Sequence, residues 1–211
     1  MAEERDPNDS IKEIPRARMF GTPLQGSNRS PQLAWSIWRG NPRITVFING
    51  PREMTGKGII SAPMDPVTMY ILLDRLMMIA DGPDGVRDYI TCYTTPKTDV
   101  GNGAAAPEKI LLSEIHFGKD DKGIVWISLQ DKEHPKIKFE YRMSDWHEIF
   151  INGQQATESV ASVLRAKAAV KVLAEIYPKL IAETDMAVVT AAIASQKVKA
   201  TFESFEDDVT F

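Results

Sequence analysis

One cysteine and three histidines are all that this chain of 211 residues offers for soft-metal or thiol chemistry. Cys92 alone makes neither an internal disulfide nor a thiolate zinc site, so a reducing compartment and a buried structural thiol are expected. His116, His134 and His147 stand apart without ligand spacing, and packed or solvated rings are expected rather than a metal centre. Long apolar runs are missing as well, since nothing approaches the ~18 residues of a spanning helix. The opening Met-Ala-Glu-Glu-Arg-Asp is too acidic and polar for a signal or transit peptide. These absences predict a soluble cytoplasmic protein with no membrane contact. The composition, 43% apolar and 26% charged, is that of a globular domain.

Reactive constellations are equally scarce. The run from Gly50 through Gly56, Lys57 and Gly58 approaches a phosphate-binding loop, but its spacing is one residue too long. Gly58 also stands where the magnesium-binding Ser or Thr belongs. Asp120 and Asp121 fall in a hairpin turn, where backbone reasons explain them. No catalytic residue, metal or cofactor is expected, and the chain reads as a non-enzyme.

Charge is present but segregated. The formal total of −4 divides into −3 over residues 1–13, +6 over 14–60, −3 over 61–107, −2 over 108–155, +2 over 156–201 and −4 over 202–211. Such asymmetry suggests a polyanion-facing region beside a separate acidic tail. Residues 1–32, rich in Asp, Asn, Ser, Gly and Pro, read as a flexible arm. Residues 33–200 read as one α+β domain, and 201–211 as the tail.

Within the domain, residues 33–39 and 43–49 form a β-hairpin around Gly40, Asn41 and Pro42. Alternation puts Ile44, Val46 and Ile48 on one face and Arg43, Thr45 and Phe47 on the other. A short third strand is expected over 57–61. Asp65 as N-cap and Pro66 at the first helical position open a helix that Gly82 and Pro83 end. A strand over 89–95, a loop over 96–107 and a meander of strands over 109–117, 123–130 and 136–142 follow. Beyond them come a short helical turn capped by Ser144, a long amphipathic helix over about 158–181 that Pro178 should kink or shorten, and an Ala-rich helix over 185–199.

The basic, aromatic hairpin carries the clearest functional pattern. Binding a nucleic-acid strand requires cations along a phosphate track and flat rings on which bases stack. Arg39, Arg43, Arg52 and Lys57 supply the first, with Lys136, Lys138 and Arg142 as an extension on the later sheet. Phe47 and one of Trp35 and Trp38, which differ in parity, supply the second, with Tyr93 and Trp126 as further candidates. A core lined by large residues is the competing reading of the same rings.

The chain ends with Glu206, Asp207, Asp208, Val209, Thr210 and Phe211. This resembles the C-terminal tip of bacterial single-stranded-DNA-binding proteins and of phage single-strand binders, in which acids precede an aliphatic residue and a final aromatic. Glu206, Asp207 and Asp208 match the acids, Val209 the aliphatic and Phe211 the terminal Phe; Thr210 departs from the usual Pro. The resemblance implies docking of replication and recombination proteins through the tip. Three strands and a helix, then four strands and helices, is an element order similar to the Whirly/PC4-like binders, an α+β fold of two β-then-α modules with antiparallel sheets packed by helices. An OB-fold with a C-terminal helical extension is the alternative. The expectation is a sequence-tolerant single-stranded DNA-binding protein, phage-encoded and therefore working in the bacterial host cytoplasm, oligomeric through the 185–199 helix. A structural or protein–protein adaptor of phage assembly is the competing class.

Overall fold

The structure, a computed structural model, describes residues 12–14, 17–38, 40–49, 58–94, 109–144 and 146–207, with side chains described as far as residue 184 except at residue 12. The architecture is α+β. Strands β1 (Lys12–Glu13), β2 (Met19–Phe20), β3 (Gln32–Trp38), β4 (Asn41–Phe47) and β5 (Ile59–Pro63) form one antiparallel sheet, and helix α1 (Pro66–Asp81) follows it. Strands β6 (Arg87–Thr94), β7 (Ile110–Lys119), β8 (Val125–Gln130) and β9 (Ile137–Glu140) form a second sheet in sequential order. A small hairpin, β10 (Phe150–Ile151) with β11 (Gln154–Gln155), leads into helix α2 (Glu158–Asp207). Both sheets are open, and among the described residues no strand of one pairs with a strand of the other. That pattern differs from the barrel closure of the OB alternative.

Period-two alternation decides which side chains face the core, although on the central strands β3 and β8 the opposite-facing Ala34, Ser36, Trp126 and Ser128 are buried as well. Leu33, Trp35 and Ile37 of β3 face the core beside Val46, Ile44 and Pro42 of β4, their register partners. Ile60 and Ala62 continue that face on β5. In the second sheet Ile115, Phe117, Ile127, Leu129, Ile137 and Phe139 close the same core. Between them α1 contributes Met69, Leu72, Leu73 and Leu76, while α2 contributes Ala166, Val170, Leu173 and Tyr177 at helical spacing. Polar contacts also tie α2 in place. Ser162 Oγ accepts the Val125 N–H at 2.9 Å, and Lys167 Nζ meets Asp81 at 2.7 Å.

Helix α1 begins as its sequence dictates. The Asp65 carboxylate accepts the Thr68 N–H at 2.9 Å and the Thr68 hydroxyl at 2.6 Å, and Pro66 occupies the first turn. Those hydrogen bonds hold the Asp65 carboxyl below its ordinary range. Cys92 is buried, and burial pushes its thiol up.

Elsewhere the chain departs from expectation. Part of the supposed flexible arm belongs to the sheet: β1 and β2 both pair with the free edge of β3, and Ile14 is buried with its N–H on the Trp35 carbonyl at 2.8 Å. A run of polar and turn residues hid two strands of only two residues each. The hairpin turn is shorter than expected, because Trp38 pairs with Asn41 and Pro42 lies within β4 opposite Ile37. Gly40 takes the positive φ of 74° that so tight a turn requires. The third strand lies two residues later than expected, at Ile59–Pro63.

In place of a helical turn over 144–150 there is one hydrogen-bonded turn, His147 N–H to the Ser144 carbonyl, and then the β10–β11 hairpin. Asn152 and Gly153, at φ 50° and 80°, form its two-residue turn. The two C-terminal helices expected around Pro178 are one helix. Tyr177 before the proline lies in the core, and Leu180 and Ile181 after it pack against that core, so core packing offsets the hydrogen bond that Pro178 removes. The same helix continues through residues 201–207, where a separate tail is expected.

Trp35→Ala should lower stability by about 3–5 kcal/mol, read by urea unfolding, because its ring fills the centre of the shared core. Asp65→Ala should cost about 1 kcal/mol. Since the Asp65 carboxyl is depressed, its contribution is present above the unfolded carboxyl range and fades as pH falls through the folded value. The variant's deficit should therefore shrink in acid.

Candidate nucleic-acid interface

The alternation that buries Trp35 sends Trp38 the other way. On the outer face of the first sheet, Phe20, Gln32, Phe47 and Ile59 form one cross-strand row, and Glu13, Ser36, Arg43 and Pro63 form another. Ala34, Thr45 and Ser61 lie between them. Phe20 and Ile59 are exposed, and Phe47 is half-buried between Gln32 and Ile59. The Arg43 guanidinium sits 4.6 Å from the centre of the Trp38 ring. Burial lowers the Arg43 pKa, and its Nε is buried without an acceptor among the described residues. A cation clamped on an aromatic face beside exposed rings is what a phosphate-and-base ligand requires.

On the second sheet the outer face is built from three rows. Arg87, Gly118, Trp126 and Glu140 form the first; Tyr89, His116, Ser128 and Lys138 the second; Thr91, Glu114 and Gln130 the third. Tyr89 is 65% exposed and Tyr93 is 51% exposed, both open to stacking. Lys109 Nζ lies 6.0 Å from the Tyr93 ring centre, and His116 lies 5.6 Å from Tyr89. His116 Nε2 is 3.1 Å from the Glu114 carboxylate, which also accepts from the Gln130 side chain.

Trp126 has a different role from the one its sequence suggests. It lies against Gly118, where a Cβ would come 3.0 Å from the indole and 2.6 Å from the Val86 carbonyl. Lys136 and Lys138 place their ammonium groups 5.2 Å and 5.6 Å from its ring centre. Only 9% of the residue is exposed, so Trp126 is a platform for two cations and offers no free face for a base. Burial, reinforced by nearby Arg87, lowers the Lys136 pKa.

A cleft of about 590 Å³ joins the two faces at β2 and β9. Phe20 enters it from the first sheet and Lys138 from the second, with Arg18, Arg142, Trp146 and Arg165 around them. Trp146 is among the most exposed large side chains described. Carboxylates already engage several of these cations. Arg18 pairs with Glu13 at 2.5 Å, Lys138 with Glu140 at 2.8 Å and Asp120 at 3.3 Å, and Arg142 with Glu140 at 2.5 Å and with Glu158. Burial raises the Glu140 pKa, but hydrogen bonds from Lys138 and Arg142 outweigh it and leave the carboxyl below its ordinary range.

Of the expected site residues, Trp38, Arg43 and Phe47 share one face, Tyr93, Trp126, Lys136 and Lys138 share the other, and Arg142 lines the cleft between. Trp35 is the correction: at 1% exposure it cannot reach a ligand. Arg39, Arg52, Lys57, Asp208, Val209 and Phe211 lie outside the described residues. Glu206 and Asp207 fall in the last turn of α2, with their side chains likewise outside the description. Sequence reasoning missed Tyr89, although it shares the parity of Tyr93 on β6. It also missed Phe20, Trp146 and Arg165, whose elements were read as an arm, a turn and a packing helix.

Among the described residues no group of three or more His, Cys, Asp or Glu converges as a metal site, and no helix is long and apolar enough to cross a membrane. Comparison with protein-family models, with curated proteins and with solved structures finds no match to this chain.

Gly118→Ala should displace the indole it supports. The expected result is a loss of about 1–3 kcal/mol in stability together with an altered Trp emission maximum, since a Cβ there has no room. An unchanged spectrum at unchanged stability would show that Gly118 does not set the position of Trp126.

Proposed function

We propose that this protein binds single-stranded DNA without base specificity and has no catalytic chemistry of its own. The observation that carries the reading is continuity. Two outer sheet faces, each combining exposed rings with cations, meet through one cleft because Phe20 and Lys138 both line it. Phosphates follow Arg43, Lys138, Arg142, Arg165 and Lys136, while bases stack on Phe47, Phe20, Tyr89 and Tyr93. Trp38 and Trp126 hold their cations in place. An antiparallel sheet solvated on one face suits an extended ligand, and stacking tolerates any base.

Two sheets, each followed in the chain by a helix, support a Whirly-like arrangement, the fold class in which this binding mode is expected. Arg39, Arg52 and Lys57 extend the track in this reading. The acidic Glu206–Phe211 segment recruits replication or recombination proteins, in keeping with a phage-encoded protein that protects single strands in its host's cytoplasm.

Titration with oligo-dT, followed by intrinsic fluorescence at two salt concentrations, tests the proposal. Quenching that weakens as salt rises is expected, because phosphate binding releases counterions. No binding at low salt would sink it. Tyr93→Ala and Phe47→Ala should each cost about 1–3 kcal/mol of affinity with the fold intact. Glu140→Gln should act in the opposite direction, raising affinity about 2–10-fold, because it removes a carboxylate that competes with phosphate for Lys138 and Arg142.

A further inference from the structure

The cations of the cleft between the two sheets are of two kinds. Arg18, Lys138 and Arg142 each meet a carboxylate, and Glu140, the one acid among the described residues lining the cleft, is taken by Lys138 and Arg142. Arg165 is the exception. It is exposed on α2 and makes no hydrogen bond, ion pair or ring contact among the described residues. An arginine already paired gives up one anion to accept another, so its net gain on meeting a phosphate is small. An uncommitted guanidinium displaces only water and condensed ions.

The indole rings divide in the same way. Trp126 carries Lys136 and Lys138 on its ring, and Trp38 carries Arg43. Trp146 is 89% exposed, and among the described residues no cation or ring packs on it. So large an apolar surface left in water is informative in a way that a buried ring is not. Local bonds present it: Trp146 stands inside a turn closed by the His147 N–H on the Ser144 carbonyl at 3.1 Å, with Ser144 Oγ and His147 Nδ1 2.6 Å apart. Arg142, just before that turn, pairs with Glu158 in the first turn of α2, and Arg165 lies about two turns further along the same helix.

We infer that Trp146 and Arg165 form a single-nucleotide subsite within the cleft. Arg165 holds a phosphate, Trp146 stacks on the base beside it, and the pair contributes more affinity than the paired cations around it. This subsite presupposes the DNA-binding reading and names the place where the strand is gripped. A nucleotide suits it better than an acidic peptide. The cleft offers its apolar surface as open ring faces, Trp146 and the 63% exposed Phe20, on which a flat base stacks. The apolar side chain of a peptide anchors instead in an enclosed, desolvated pocket. The volume of about 590 Å³ also falls within the ~300–1,000 Å³ of small-molecule sites.

Acrylamide quenching and oligo-dT titration of the full chain, with affinity read from the anisotropy of a labelled strand, test the inference. Oligo-dT should protect Trp146 from quencher. Trp146→Phe should remove most of the intrinsic fluorescence change on binding, since Trp35 and Trp126 are buried. Trp146→Ala should weaken binding about fivefold or more, the lower value of one stacked base, at unchanged melting temperature. Arg165→Gln should reduce the slope of log affinity against log salt by about 0.7, the share of one single-strand phosphate. Arg142→Gln and Arg18→Gln should each reduce it by less than half as much. A wild-type chain that binds oligo-dT while Trp146→Phe keeps the full fluorescence change overturns the inference and leaves the DNA reading standing. The same holds if Arg165→Gln lowers the slope no more than Arg142→Gln does. A wild-type chain that fails to bind at low salt removes the DNA reading and this subsite with it. A peptide of the sequence Glu206–Phe211 that protects Trp146 where oligo-dT does not assigns the subsite to a protein partner, which overturns the inference as well.

Discussion

The geometric fact on which the rest depends is that consecutive side chains of a β-strand leave it in opposite directions. In β3 and β4 this sorts a stretch crowded with large residues into two populations. Trp35 goes inward with Leu33, Ile37 and Ile44, and Trp38 goes outward with Arg43 and Phe47. The inward set makes a core that two sheets and two helices share. The outward set stays at the surface because it has nowhere else to go. A slip of one residue in register would bury Arg43 and expose Ile44, so the core and the candidate binding face stand or fall together.

That coupling gives the surface its rigidity. Trp38, Arg43, Phe47, Tyr89 and Lys138 sit on strands whose other side is locked in apolar packing, a better platform for an extended ligand than residues on loops. The second sheet repeats the scheme with a different inventory. Its most buried outer ring, Trp126, is spent on holding Lys136 and Lys138, and its open rings are tyrosines on the edge strand.

Much of this was legible in the sequence wherever one local rule acted alone. The Asp65–Pro66 cap, the alternation of β4, the meander and the burial of Cys92 follow from short-range preferences that tertiary context had no reason to oppose. The misreadings share a cause, which is that distant partners decided them. Met19 and Phe20 become a strand only because β3 has a free edge there, and Pro178 stays inside a helix because Tyr177, Leu180 and Ile181 are held by the core. Parity could separate Trp35 from Trp38 but could not say which face was covered. The cleft was invisible for the same reason, since Phe20, Lys138, Trp146 and Arg165 come from four separate parts of the chain.

The carboxylates of the cleft have one more consequence. Lys138, Arg142 and Arg18 already hold Glu140, Asp120, Glu158 and Glu13 as counter-charges. Any phosphate that arrives there exchanges one anion for another and displaces fewer condensed salt ions than the number of basic residues would suggest. A free mononucleotide gains almost nothing from a single exchange of this kind. A polymer makes many exchanges at once and adds a stacked base at each step. Under the proposed function, pre-paired cations would give the surface discrimination by chain length, favouring a long strand over small phosphates.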